Sequence, residues 1–140
     1  MSEQNKQIAR RLLDELWNRA DFAVVDDLVP DDYNGHESAE IHGPEGAKAF
    51  VAGLRAAFPD LHLTVEDQLA ERDKVVTRWT MRGTHKGLFQ GIPATGRRMT
   101  ITGIALFRIS NGKIVEGWAN EDVLGMLQQL GAIPTPGQTR

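Results

Sequence analysis

Four histidines, at positions 36, 42, 62 and 85, are the first residues to ask about chemistry, and none stands at a recognised metal-motif spacing such as HExxH. His36 lies in the turn-rich stretch DDYNGHES (31–38). An imidazole titrates near neutrality, so His36 can act as base or donor; the plainer alternative is a histidine that ties down its turn. His85 sits beside Lys86 in a glycine-punctuated loop and reads as a loop anchor. Asp122 precedes a helical pattern and suits an N-cap. Arg78 and Trp79 are neighbours in an extended segment, so only one of them faces any given side of a sheet. An inward Arg78 would match an anionic substrate group, and an outward one belongs to the surface or to a dimer interface. The glycines at 83, 87, 91 and 96 form neither GxGxxG nor a P-loop and read as turn residues. The chain has no cysteine, which removes disulfides, thiolate metal sites and cysteine nucleophiles. No Ser-His-Asp arrangement stands out.

These side chains need a scaffold, and the hydrophobic pattern supplies one. Residues 3–18 carry Ile8, Leu12, Leu13 and Leu16 at helical spacing. A short helix fits 22–29, between Asp21 as cap and Pro30 as stop. A very short strand fits Tyr33–His36. Pro44 and Glu45 open a third helix that runs to about Phe58. The period then changes to two. Leu61, Leu63 and Val65 alternate with polar residues, 74–84 is rich in β-branched and aromatic residues, and 98–109 is a long strand. Asn111-Gly112 marks a hairpin into a return strand at 113–120. A helix over 122–130 closes the pattern, with Gly131 placed as its C-cap. The expected fold is α+β: helices gathered on one face of a curved, mostly antiparallel sheet, in a single domain spanning 1–134 with a loose tail at 135–140.

Composition bounds the function. Length 140 with 41% hydrophobic and 25% charged residues is that of one globular core. Net charge is −3, and Arg10-Arg11 and Arg97-Arg98 are the only adjacent basic pairs, so a nucleic-acid face is not expected. No apolar run approaches the ~20 residues of a membrane helix, and the polar start MSEQNKQIARR lacks the apolar core of a signal peptide. A cytoplasmic location fits.

Four segments together, DDYNGHES (31–38), GTHKGLFQGIPATGRRM (83–99), GIALFRISNGKIVEGW (103–118) and EDVLGMLQQLG (121–131), resemble the SnoaL-like polyketide cyclases, also called ester cyclases, of the nuclear transport factor two-like superfamily. The resemblance implies a cone-shaped, incompletely closed α+β barrel around an apolar pocket, homodimers through the outer sheet face, and ring closure by aldol condensation without metal or organic cofactor. In such cyclases one pocket carboxylate on the last strand exchanges the protons, in a pattern like His-Trp-Asp. Here the matching residues are Gly117-Trp118-Ala119, so the usual acid position is Ala119, and the polar position of the preceding strand is Ala105.

By strand parity Ala105 shares a face with Phe107, and Ala119 with Gly117 and Glu121. Glu121 can partly replace the missing acid or stand solvated at the strand end. Asn120 has the opposite parity and reaches inward only through a bulge. Trp118 shapes the cavity or belongs to core or dimer surface. Tyr33 offers a phenol to the pocket or supports the first turn. The resemblance places His36 at the pocket border and Asp122 at its mouth as the expected catalytic pair. The expected ligand is a small hydrophobic carbonyl compound undergoing cyclase, isomerase or lyase chemistry. The alternatives are a non-catalytic binding protein that lost the acid and a cofactor-independent hydroxylase-like enzyme.

Overall fold

In a computed structural model, residues 2–37, 39–134, 136 and 137 are described. Of the expected tail, Thr135 and 138–140 lie outside the described residues. The elements run α1 (Ser2–Leu12), continued by a wider π-helical turn (Leu13–Asn18), then α2 (Ala23–Leu28), β1 (Asn34–His36), β2 (Glu40–His42), α3 (Gly43–Ala57), β3 (His62–Glu71), β4 (Lys74–Thr84), β5 (Arg98–Ser110), β6 (Lys113–Glu121) and α4 (Val123–Gln129). Among the described residues no helix is long and apolar enough to cross a membrane.

Six strands make one sheet in the order β2-β1-β6-β5-β4-β3. All neighbours are antiparallel except β1 and β6, which pair in parallel. The sheet is curled but not closed, with α1 to α3 laid over its concave face. Extra residues at Glu66 in β3 and at Val115 in β6, opposite Arg108/Ile109, shift the register and help bend it. The first also explains why β3 runs to Glu71 while clean alternation stops near Glu66: past the shift the side chains no longer follow one parity. The turn back to β4 is therefore only Arg72-Asp73. At the next hairpin, Asn111 and Gly112 have φ of 51° and 75°, the left-handed pair the two-residue turn requires.

The helices are pinned by a few half-buried polar contacts. Asn18 closes the π-helical turn onto β3, its amide donating to the Leu63 carbonyl at 2.9 Å and accepting from the Leu63 N–H at 2.7 Å. The Arg55 guanidinium of α3 donates to the Trp17 carbonyl at 2.6 Å. The π-helical turn thus brings Leu13, Leu16 and Trp17 against the concave sheet face, and such wide turns are frequent where a helix borders a site. Its wider register appears in the Arg19 N–H, which donates five residues back to Asp14.

Three glycines let side chains lie flat on the concave floor. A Cβ on Gly103 would stand 2.2 Å from the Trp79 ring. Paired Gly35 and Gly117, on β1 and β6, would each place a Cβ 2.8 Å from the Tyr33 hydroxyl. Real Cβ atoms do not approach this closely, so these glycines set where Trp79 and Tyr33 rest.

Candidate active site

Between the concave sheet face and α1, the π-helical turn and α3 lies a cleft with about 600 Å³ of unfilled space, part of it open to solvent. Its narrow interior gives the centre of a water-sized sphere only about 50 Å³. The walls are apolar: Leu12, Leu16 and Trp17 from the first helix, Val51 and Phe50 from α3, and Trp79, Met81, Ala105, Phe107 and Ala119 from the sheet. Into this lining project three polar side chains, Tyr33, Glu37 and Glu121.

Strand parity explains all three. Tyr33, Gly35 and Glu37 alternate through β1, and Gly35 pairs with Gly117 of β6. Gly117, Ala119 and Glu121 alternate in turn on β6. Both sets face inward, and the two carboxylates arrive at the cleft from strands that are neighbours in the sheet. Burial raises the Glu37 carboxyl to about 7, and the Glu121 charge pushes the same way. Burial raises Glu121 as well. The Tyr33 phenol is held well above its ordinary value by burial, with the charges of Glu37 and Glu116 adding to it. Near neutral pH the cleft therefore offers a phenol O–H and two carboxyls, one of which keeps its proton more tightly than the other.

The same parity turns several expected site residues away. Gly35 faces inward, so His36 faces the outer side with Trp118, its register partner. There its ring stacks on Trp118 with centroids 5.5 Å apart. Its nitrogens lie 2.8 Å from Glu40 and 2.9 Å from Glu116, and Glu116 is also paired with Arg108 at 3.3 Å. The hydrogen bond to Glu116, then that to Glu40, raise the His36 pKa. His36 is thus a member of an outer-face ion-pair network and does not line the cleft. His36→Ala is expected to leave turnover within about twofold of the parent, because exposed pairs of this kind are weakly coupled to the interior. Steady-state kinetics alongside a melting curve checks this, and a collapse of turnover with the fold intact would contradict it.

Trp118, Asn120 and Arg78 share that outer face. Arg78 and Asn120 border a shallow groove beside Ile104, their common register neighbour on β5. No bulge turns Asn120 inward, since β5 and β6 are in regular register there. Asp122 is exposed and caps α4, its carboxylate accepting the Gly125 N–H at 2.8 Å. His85 is buried in the loop, with Nδ1 3.0 Å from the Thr95 hydroxyl and its ring against Phe58. Tyr33, Trp79, Ala105, Phe107, Ala119 and Glu121 do line the cleft, and Gly117 forms its floor beneath Tyr33. Glu37 was not among the sequence candidates. The signal that could have found it is its parity with Tyr33, one residue beyond β1. Among the described residues no three His, Asp or Glu side chains come together as a group that could hold a metal ion.

The sequence pattern of the family described as SnoaL-like polyketide cyclase matches residues 7–130, nearly the whole folded chain and every strand of the cleft. The chain belongs to this family. Its curated relatives include the aklanonic acid methyl ester cyclase DauD of Streptomyces sp. (strain C5), 38% identical over 135 residues, which are 92% of this chain and 83% of that protein. The nogalonic acid methyl ester cyclase of Streptomyces nogalater is 33% identical over 111 residues, covering 76% of this chain and 83% of its own. A solved structure from Jannaschia sp. CCS1, described as a SnoaL-like polyketide cyclase, superposes with a TM-score of 0.87 at 28% identity, covering 95% of each chain. As a SnoaL-like protein the chain keeps the family's curled sheet and helical cover, with alanine at 119 and with Glu37 and Glu121 as the carboxyls lining the cleft.

Proposed function

We propose that this SnoaL-like protein is a proton-transfer enzyme acting on a small, largely apolar carbonyl compound, with ring closure of the cyclase type as the reaction it fits best. The observation that carries this reading is the pair of carboxyls, Glu37 and Glu121, in an otherwise apolar cleft. Glu121, the less strongly shifted, serves as the base that removes a proton from the carbon next to a carbonyl. The enolate oxygen accepts a hydrogen bond from the Tyr33 phenol, which stays protonated. The electron pair of the enolate forms the new carbon–carbon bond to a second carbonyl, and Glu37 gives its proton to the alkoxide that results. One proton leaves carbon and one reaches oxygen, so the step balances, and exchange with water returns both carboxyls to their starting states.

The apolar walls support the same reading. They hold the ketone and keep water from the enolate, while the charge that develops is met by three polar groups already in place. The test is incubation with β-keto esters in heavy water, following deuterium at the α-carbon by mass spectrometry. Enzyme-dependent exchange above the buffer rate is the expected result. Binding without exchange across a panel would replace this reading with that of a ligand-binding protein.

A further inference from the structure

The enclosed part of the cleft is small: at roughly 10–15 Å³ per water centre, about 50 Å³ holds only a few waters. Next to it, between α3 and α4 and under residues 88–90, lies a groove that gives a water-sized sphere about 350 Å³. Two residues, Phe50 and Glu121, line both spaces, so the groove and the cleft adjoin at these two side chains. Its other walls are mostly apolar, with Leu54, Leu88, Phe89, Val123 and Met126. Leu88 is 70% exposed at the groove's edge, an apolar side chain that its own fold leaves uncovered.

Gly53 belongs both to α3 and to the groove wall, and inside a helix glycine costs about 1 kcal/mol against alanine. It does not have a positive φ, and a Cβ added there would meet nothing within 4 Å. Neither backbone geometry nor packing therefore requires glycine at this position. Its lack of a side chain leaves that stretch of the groove wall bare.

Building on the proton-transfer reading, we propose that the substrate is elongated: a slim β-dicarbonyl end enters the cleft and gives up its α-proton beside Glu121, and a largely apolar tail lies in the groove along Gly53, Leu54, Leu88 and Met126. The groove is then a subsite selecting for the tail, and Glu121 stands where the two parts of the molecule meet.

The probes are methyl acetoacetate and methyl 3-oxododecanoate, below the latter's micelle concentration. Binding is measured by calorimetry and α-carbon exchange in the same samples by mass spectrometry, for the parent chain, Gly53→Leu and Gly53→Ala. The parent should bind the long ester at least tenfold more tightly than the short one. Gly53→Leu, which fills the groove, should reduce that ratio to near one, and Gly53→Ala controls for helix propensity. Equal binding of both esters by the parent would overturn the subsite. So would a ratio that Gly53→Leu leaves intact, or one that Gly53→Ala lowers as far as Gly53→Leu does. Tail-dependent binding without exchange would retain the subsite and overturn the proton-transfer reading. Binding of neither ester would overturn both.

Discussion

Glu121→Gln should lower enzyme-dependent α-carbon exchange by at least about 100-fold while leaving the fold intact, since a positioned general base contributes on the order of 10²–10⁴ in rate. The amide keeps the size and the hydrogen-bonding capacity of the side chain but cannot take a proton from carbon. Glu121 is half-buried at the end of β6, and no hydrogen-bond partner holds it among the described residues, so no network is broken by the change. Melting temperature should therefore hold or rise slightly, because a carboxylate penalised by burial is removed. The check is the exchange rate and the melting curve on the same preparation. Retention of most of the exchange activity would assign the base elsewhere and leave Glu121 as a wall residue.

Glu37→Gln should act mainly on the dependence on pH. In the folded chain the Glu37 carboxyl titrates at about 7 against an ordinary value of 4.5. Between those two values the native state holds a proton that the unfolded state has lost. Stability contributed by this group is therefore complete below about 4.5, falls as pH rises toward 7, and is level above it. The amide of the Glu37→Gln variant carries no such penalty. At pH 8 the variant should be more stable than the parent by about 1–3 kcal/mol, the range allowing for a carboxyl that is not wholly enclosed, and near pH 4 the two should agree. Activity changes in the opposite sense. Ring closure, which needs the Glu37 proton, should drop, whereas α-carbon exchange should persist on Glu121 and lose whatever inflection it shows near pH 7. Denaturant melts at pH 4 and pH 8 read the first part. An identical pH dependence of stability in parent and variant would mean that Glu37 is ordinary and not the retained acid.

Much of the architecture was legible in the residues because its signals are local. The β-branched and aromatic content of 74–84, the long strand pattern of 98–109, the Asn111-Gly112 turn and the capping pattern around Asp122 and Gly131 each depend on a few neighbours, and each corresponds to an observed element. Strand β2 was not legible. Its three residues, Glu40–His42, show no period and are extended only because they pair with β1. The site divides along the same line. Parity on the long strands groups Ala105 with Phe107 and Ala119 with Glu121, while the choice of inner face came from the family resemblance. The orientation of β1 is decided by its parallel pairing with β6, some 80 positions away, which puts Gly35 inside and His36 outside. A three-residue strand carries too little pattern to settle that on its own. The resemblance to the family's acid position pointed to Ala119 as a loss. The carboxyls that do line the cleft come from neighbouring positions, Glu121 two residues along the same strand and Glu37 just beyond β1, the strand beside it.

Proton transfer in this cleft requires one carboxyl to hold its proton near neutrality while its neighbour gives its proton up. Carbon-13 NMR of the glutamate side-chain carboxyls, assigned with Glu37→Gln and Glu121→Gln and followed from pH 4 to pH 9, tests it directly. The account predicts two coupled transitions, the upper near 7 and lost in Glu37→Gln, and the lower raised above the ordinary glutamate range and lost in Glu121→Gln. If every glutamate carboxyl titrates below about 5, as exposed glutamates do, the cleft holds no retained acid and the acid–base account is contradicted.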